Sequence, residues 1–453
     1  MTRRITRRTA SLRTAALHAT CAVAFAFAAQ QAVAQPPAAA GKMVVYRTHA
    51  GDTLYDVSAR YLQGPDDWQL LQQINGVPAP KHLQPGIALK LPVARLRKEK
   101  LTARVVAVQG TAERASGDAY APLVSDVTLT EGDRVRTGAN GFLTLELADG
   151  THMSLPPDSQ LDVKTLRRTV LTGTLDREFE LTRGSVDSEV THLKKRDDRF
   201  QIRSPSVVAG VRGTRFRVNY DAAGNAATRV EVLDGTVGVA GKQQPADPTL
   251  VHANFGSVST SSGAVGAPVR LLPAPALTHP DKVQDEPDLM FDVAPLEHAH
   301  AYHLQLARDA GMLELFSETR TVSSRAVFRE VPNGTYFVRI AAIDDNGLEG
   351  MPHIYAFERR LMGLDASASP GPDGYEFRWA PNDAAKDARY RFVLSRSKDL
   401  SAPVVDQMGL QARRITVAHL PPGDYYWAVT VEEFEGGKFY QKTSPVSAFT
   451  LSR

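Results

Sequence analysis

Apolar positions along the chain change period twice, and each change marks a different kind of module. From Val44 to Thr48 they read as a strand. Leu54, Val57, Tyr61 and Leu62 then recur at helical spacing. "DDWQLLQQING" carries Trp68, Leu71 and the Leu70/Ile74 pair on a second helix that stops at Asn75-Gly76, a C-terminal cap signal. "IALKLP" returns to alternation, with Ile87, Leu89 and Leu91 expected on one inward face. Residues 44–92 are therefore predicted as a small βααβ unit. Between 101 and 240 the helical period vanishes. "FLTLELADGTHMSL" and "RVEVLDGTVGV" each place alternating Leu or Val on both sides of an Asp-Gly pair, a strong hairpin signal. This stretch is predicted to be an all-β domain.

The last third repeats itself. "FDVAPLEHAHAYHLQLARD" from 291 aligns with "FRWAPNDAAKDARYRFVLSRS" from 377, and "VPNGTYFVRIAAID" from 331 with "LPPGDYYWAVTVEE" from 420. A repeat of this length with alternating strands predicts two β-sandwich modules, over 276–360 and 362–453. "VARLRKEK" at 93–100 is charged, and 241–275 is rich in Gly, Ser, Ala and Pro. The first reads as a connector and the second as a loose closing strand plus a linker, so the modules are expected to unfold independently. The fold class is thus multidomain: a small βααβ module, an all-β domain and two sandwiches.

The chain has 453 residues, ample for this many domains, and a formal charge of +3. Its basic excess is local. Residues 1–34 hold five arginines and no carboxylate; without them, 48 of the 53 basic residues stand against 50 acidic ones. Nucleic-acid binding thereby loses its main support. The arginines precede an Ala-rich apolar run and then Ala32-Val33-Ala34, the pattern of an export signal cleaved after Ala34. The run is short for a membrane span, so the mature chain is expected to have none. Cys21 is the only cysteine and lies inside that signal. A mature chain without cysteine has no disulfide, no thiolate metal site and no thiol nucleophile.

"HAGDTLYDVSARY" at 49–61 has two readings. Thr53 and Asp56 form a capping pair, and Gly51 allows a sharp turn, which suffices to start a helix. Together with Trp68, "INGV" and "HLQPGIALKLP", however, it resembles the LysM module, a peptidoglycan- and chitin-binding domain, over the whole of 44–92. That resemblance implies a shallow groove for N-acetylglucosamine between two loops. The matching loops are Gly51, Asp52, Thr53 and Leu54, and Leu83, Gln84, Pro85 and Gly86, with Asn75 ending the second helix. Backbone groups would bond the acetamido groups, and Leu54 and Leu83 would receive the methyls. Gly51→Val combined with Leu83→Asp is accordingly expected to abolish glycan binding with the fold intact.

"SPSVVAGVRGTRFRVNY" at 204–220, with "EGDRVRTGANGFLTLELADGTHMSLPPDSQL" and "VLDGTVGV", resembles the FecR periplasmic domain over 101–240. The family's named member relays an iron-siderophore signal to a sigma factor and needs a cytoplasmic segment and a membrane span, which an export signal does not provide. Gly210 and Gly213 are read as turn positions, and Phe216 and Val218 as inward-facing. Arg212, Arg215 and Arg217 either brace the fold through carboxylates such as Glu231 or form a contact surface. The two C-terminal modules look like fibronectin type III or similar sandwiches.

Catalytic patterns are weak. His298 and His300 share a strand face and His303 points away, without a carboxylate at a convincing spacing, so no metal site is expected. "SRSK" at 395 stands at a strand end and not on the helix that a Ser-x-x-Lys nucleophile requires. The sequence therefore predicts an exported, non-catalytic envelope protein with no cofactor. It would bind a peptidoglycan or chitin-like glycan and present its β-domains to an envelope protein partner. A FecR-like sensor is the alternative, and a peptidoglycan hydrolase a more distant one.

Overall fold

The computed structural model describes residues 41–452 except 223–225, 243–246, 382–386 and 436. The export segment and its cleavage site after Ala34 lie outside the described residues. Among these the chain is mostly β, with a small helical region near the start.

The first module follows its predicted order. β1 (Met43–Arg47) pairs antiparallel with β2 (Ala88–Pro92), Tyr46 lying opposite Leu89. Between them stand α1 (Leu54–Tyr61) and α2 (Trp68–Asn75). Thr53 caps α1: its hydroxyl accepts from the Asp56 amide at 3.0 Å and donates to the Asp56 carboxylate at 2.7 Å. Gly76 ends α2 in the left-handed region at φ 58°. Tyr46, Leu54, Val57, Leu62, Leu71, Leu83, Leu89 and Leu91 form one core. Ile87 departs from the expected inward face and is 41% exposed. It precedes β2, beyond the last strand pair Arg47–Ala88, where no further residue of β1 remains to cover it.

Residues 93–100 are not a free connector. Leu96 is buried in the core of the first module and bridges to Leu62, and the Arg97 amide donates to the Tyr61 carbonyl at 2.7 Å. Lys98–Lys100 then pairs with Arg167–Thr169 of the second domain. The charged composition hid one apolar anchor and a strand that completes a sheet edge.

The strands from Lys98 to Arg270 join into a closed barrel around one apolar core. Leu143, Leu145 and Leu147 face inward as predicted, as do Phe216, Val218, Val230, Val232, Val237 and Val239. Gly213 turns with φ 93°, and a Cβ there would fall 2.6 Å from His192 Cα, so only glycine fits. Gly210 instead lies within the strand Val207–Val211, between Gln201 and Gly238 on neighbouring strands, and makes no turn. The supposed linker 241–275 contributes Thr249–His252, Phe255–Ser259 and Val269–Arg270 to the barrel. Small residues had suggested a loose closing strand plus a linker; here they allow close packing. A Cβ on Gly266 would sit 2.6 Å from the Val258 carbonyl oxygen.

Two sandwiches follow, as the repeat implied. In the first, Leu289–Asp292 pairs with Arg325–Phe328, and a four-stranded sheet built on Ala301–Ala307 and Gly334–Ile343 covers them. In the second, a three-stranded sheet faces one centred on Arg389–Ser395 and Gly423–Glu435. The repeat partners Phe291 and Phe377 occupy the two cores. Tyr425 fastens the second sandwich by donating its hydroxyl to the Pro421 carbonyl at 2.7 Å, a corner typical of such folds.

The barrel and the first sandwich are fused. Phe142 of the barrel packs with Ala307, Met312 and Leu315 of the sandwich, and Thr144 Oγ1 donates to the Leu313 carbonyl at 2.7 Å. The expectation of separate modules fails here because both faces are apolar or ion-paired, which segment composition does not report.

Candidate functional site

The two loops expected to grip a glycan are brought together. The Leu54 amide donates to the Pro80 carbonyl at 2.9 Å and the Leu83 amide to the Asp52 carbonyl at 3.4 Å. Thr48 Oγ1 donates to the Gln84 carbonyl at 2.5 Å and accepts from the Ile87 amide at 2.9 Å, while the Gly86 amide donates to the Thr48 carbonyl at 2.8 Å. Sequence reading missed Thr48, the buried residue just after β1 that fixes the second loop.

The site residues divide by exposure. Gly51, Gln84, Pro85 and Gly86 are exposed, and Thr53 is half-buried. Gly51 and Gly86 both sit at φ 86° with nothing within 4 Å of where a Cβ would be, so their backbone is open to a ligand. Asp52 is buried: Oδ2 accepts from the Tyr46 hydroxyl and the His49 amide, each at 2.7 Å. Burial opposes its ionisation, but these hydrogen bonds and nearby Arg60 outweigh it and lower its pKa. Burial, then Asp52, pushes the Tyr46 hydroxyl up to about 12. Asp52 thus shapes the loop from inside. Leu54 and Leu83 are 0% and 7% exposed and belong to the core, so they cannot offer open methyl pockets. Asn75 is spent on structure: its side chain accepts from the Lys90 amide at 2.7 Å and donates to the Lys90 and Leu71 carbonyls. Tyr55 and Ile87, both exposed and next to these loops in sequence, were not anticipated.

A second polar constellation lies where barrel meets sandwich. Arg217 is 4% exposed and donates to the Glu349 and Gly350 carbonyls at 3.1 Å each, with Glu349 Oε1 at 3.0 Å. Arg339 reaches Asp187 at 2.5 Å and Gln305 at 2.9 Å. His303 lies 2.9 Å from Glu349 and 3.2 Å from Glu318. Burial pushes Glu231 up to about 7, against the pull of Arg217. Burial likewise opposes ionisation of Glu349, but Arg217 and His303 hold its carboxyl well below the usual range. Burial would lower the His303 pKa; Glu349 and Glu318 raise it instead. One guanidinium faces two buried carboxylates, and the proton goes to Glu231. Arg217 therefore braces two modules, not merely its own. Arg212 is exposed and donates to the Lys195 and Arg196 carbonyls. Arg215 is half-buried, and burial followed by nearby Arg339 lowers its pKa. His298 and His300 are exposed, and among the described residues no group of three or more side chains is arranged to hold a metal ion.

The loop pair coincides with a family match: residues 46–92 fit the LysM domain. The first module is a LysM domain. Residues 133–238 fit the FecR protein family, within the barrel. No curated protein matches the chain. Among solved structures, a protein assigned as an anti-sigma factor from Parabacteroides distasonis is 17% identical, with a TM-score of 0.25. The match covers 30% of this chain and 59% of that one, so the chain spans about 59% of that protein's length. The FN1–FN3 domains of chicken CNTN1 match at 13% identity over 60% of this chain and 99% of theirs, with a TM-score of 0.23. A two-domain fibronectin type III segment of chicken tenascin matches at 15% identity over 39% and 99%, with a TM-score of 0.20. The C-terminal modules are β-sandwiches by their own sheet pairing and cores.

In the LysM domain the two loops present open backbone at Gly51 and Gly86, and the buried residues between them hold the loops in place. Among the described residues no helix is long and apolar enough to cross a membrane.

Proposed function

We propose that this is an exported, non-catalytic protein of the cell envelope. Its LysM domain docks on N-acetylglucosamine-containing glycan, and its β-domains meet a protein partner. The observation that carries this reading is the pair of exposed glycine backbones, at Gly51 and Gly86, on two loops hydrogen-bonded to one another within a domain that matches LysM. A neutral sugar needs hydrogen-bonding groups and close approach, not an acid or base. One such module binds weakly, so anchoring gains from further contacts on the polymer. The FecR match supports a second reading, a sensor whose barrel engages another envelope protein.

Co-sedimentation with purified peptidoglycan sacculi tests the first reading. Gly51→Asn and Gly86→Asn add a side chain in open space, at a positive φ that strains any side chain but asparagine among the least. Each is expected to keep the fold and to lower sacculus binding at least about tenfold, the loss of roughly 1.4 kcal/mol of contact. Wild-type binding by both variants would remove these glycines from the groove. Leu83→Asp, by contrast, should now be read as a folding variant. Placing a carboxylate in the LysM core should unfold this small domain, seen as loss of protease resistance in 43–92.

A further inference from the structure

The barrel has a pocket at one end that the glycan reading leaves unused. Its volume is about 710 Å³, within the range of sites that enclose small ligands. Leu101, Leu147, Leu166, Leu175 and Leu193 line it. Arg177 also lines it. Its strand places it on the inward face with Phe179 and Leu181, so a guanidinium is set inside an apolar barrel, 1% exposed.

That guanidinium is half used. Nη1 pairs with Asp149, and the Phe200 ring lies 5.4 Å away. Asp149 is itself held by the Thr191 hydroxyl at 2.9 Å and the Thr151 amide at 3.2 Å. Burial would raise its pKa, but Arg177 and these hydrogen bonds lower it, so it stays charged. The Nε and Nη2 atoms of Arg177 are buried with no hydrogen-bond partner among the described residues. Unmet donors in an apolar site are costly, and these two form the edge that takes a carboxylate side-on. Lys194 and Lys195 add exposed positive charge among the lining residues. Asp198, the other carboxylate there, is engaged by the Leu175 and Lys195 amides. With Asp149 already on Arg177, one further negative charge suits the site better than the two of a phosphate monoester.

We propose that this pocket binds an aliphatic carboxylate, its tail among the leucines and its head on the Nε/Nη2 edge of Arg177. A fatty acid and a peptide C-terminus ending in an aliphatic residue share that chemistry. The site is separate from the LysM groove, so it stands or falls independently of glycan docking.

Titration calorimetry of the full chain with dodecanoate, dodecanoate methyl ester and N-acetyl-Leu-Leu decides it. Saturable one-to-one binding of dodecanoate or N-acetyl-Leu-Leu is expected, and whichever binds identifies the source. The ester should bind at least about tenfold more weakly than the acid, the size of one charge-assisted bidentate contact. Arg177→Lys keeps a cation for Asp149 but loses the edge, and should weaken the acid to a similar degree with sacculus binding unchanged. If neither acid binds, or the ester binds as tightly as dodecanoate, the proposal fails, whatever the folding of the variant. It also fails if a folded Arg177→Lys protein binds the acid as the wild type does.

Discussion

Arg217→Met should destabilise the protein by about 3–5 kcal/mol, the usual cost of removing one partner from a buried ionic cluster. The loss comes mainly from what is left behind. Glu349 would keep a buried charge without its main partner, and the Glu349 and Gly350 carbonyls would each lose a donor. Because Arg217 stands on the barrel and Glu349 on the first sandwich, the damage falls on their junction. In calorimetry the wild-type barrel and first sandwich should unfold together, since Phe142, Met312 and Leu315 also join them. The variant's transition should fall by roughly 6–20 °C for a unit of this size, or split in two. Arg217→Lys should lie between, as it retains the charge but not the two-pronged geometry. A change below about 1 kcal/mol in Arg217→Met would mean that the junction does not depend on this residue.

Glu231→Gln should flatten the pH dependence of stability between pH 5 and 8. The carboxyl is 2% exposed, and its folded pKa is pushed up to about 7 from 4.5, first by burial. A raised pKa means that the folded state binds the proton more tightly. The stabilisation is complete below the unfolded value and disappears as pH rises through the folded one. In the wild type this costs on the order of 3 kcal/mol between pH 4.5 and pH 8. Glutamine keeps the shape and an acceptor for the Glu349 amide but cannot ionise. His303 acts in the same direction at higher pH, its raised pKa giving stability present below 6.5 and lost as pH climbs through the folded value. Glu349, held low, contributes above the ordinary carboxylate range and loses its contribution only in acid. Urea titrations of wild type, Glu231→Gln and the Glu231→Gln/His303→Gln double variant at pH 5 and 8 separate the terms. An identical pH slope in wild type and Glu231→Gln would show that Glu231 is charged in both states.

The sequence by itself determined the order and class of the modules. Helical spacing at Leu54, Val57 and Leu62 and the Thr53–Asp56 cap are local signals, and local signals survive into any packing. The same holds for Asp149-Gly150 and Asp234-Gly235, where both turn glycines take positive φ, and for the aromatic repeat at Phe291 and Phe377. The tertiary structure alone decided which of the expected site residues are open to solvent. Leu54 and Leu83 share a motif with Gly51 and Gly86, yet the first pair fills the core and the second lies open, because exposure depends on what packs behind each loop. It also decided that the presumed linkers are strands: hydrogen-bond partners such as Arg167–Thr169 for Lys98–Lys100 lie far away in sequence. For the same reason neither the partners that Arg217 finds at Glu349 nor the half-paired Arg177 could be read in advance. A buried charge is defined by neighbours that only the closed fold supplies.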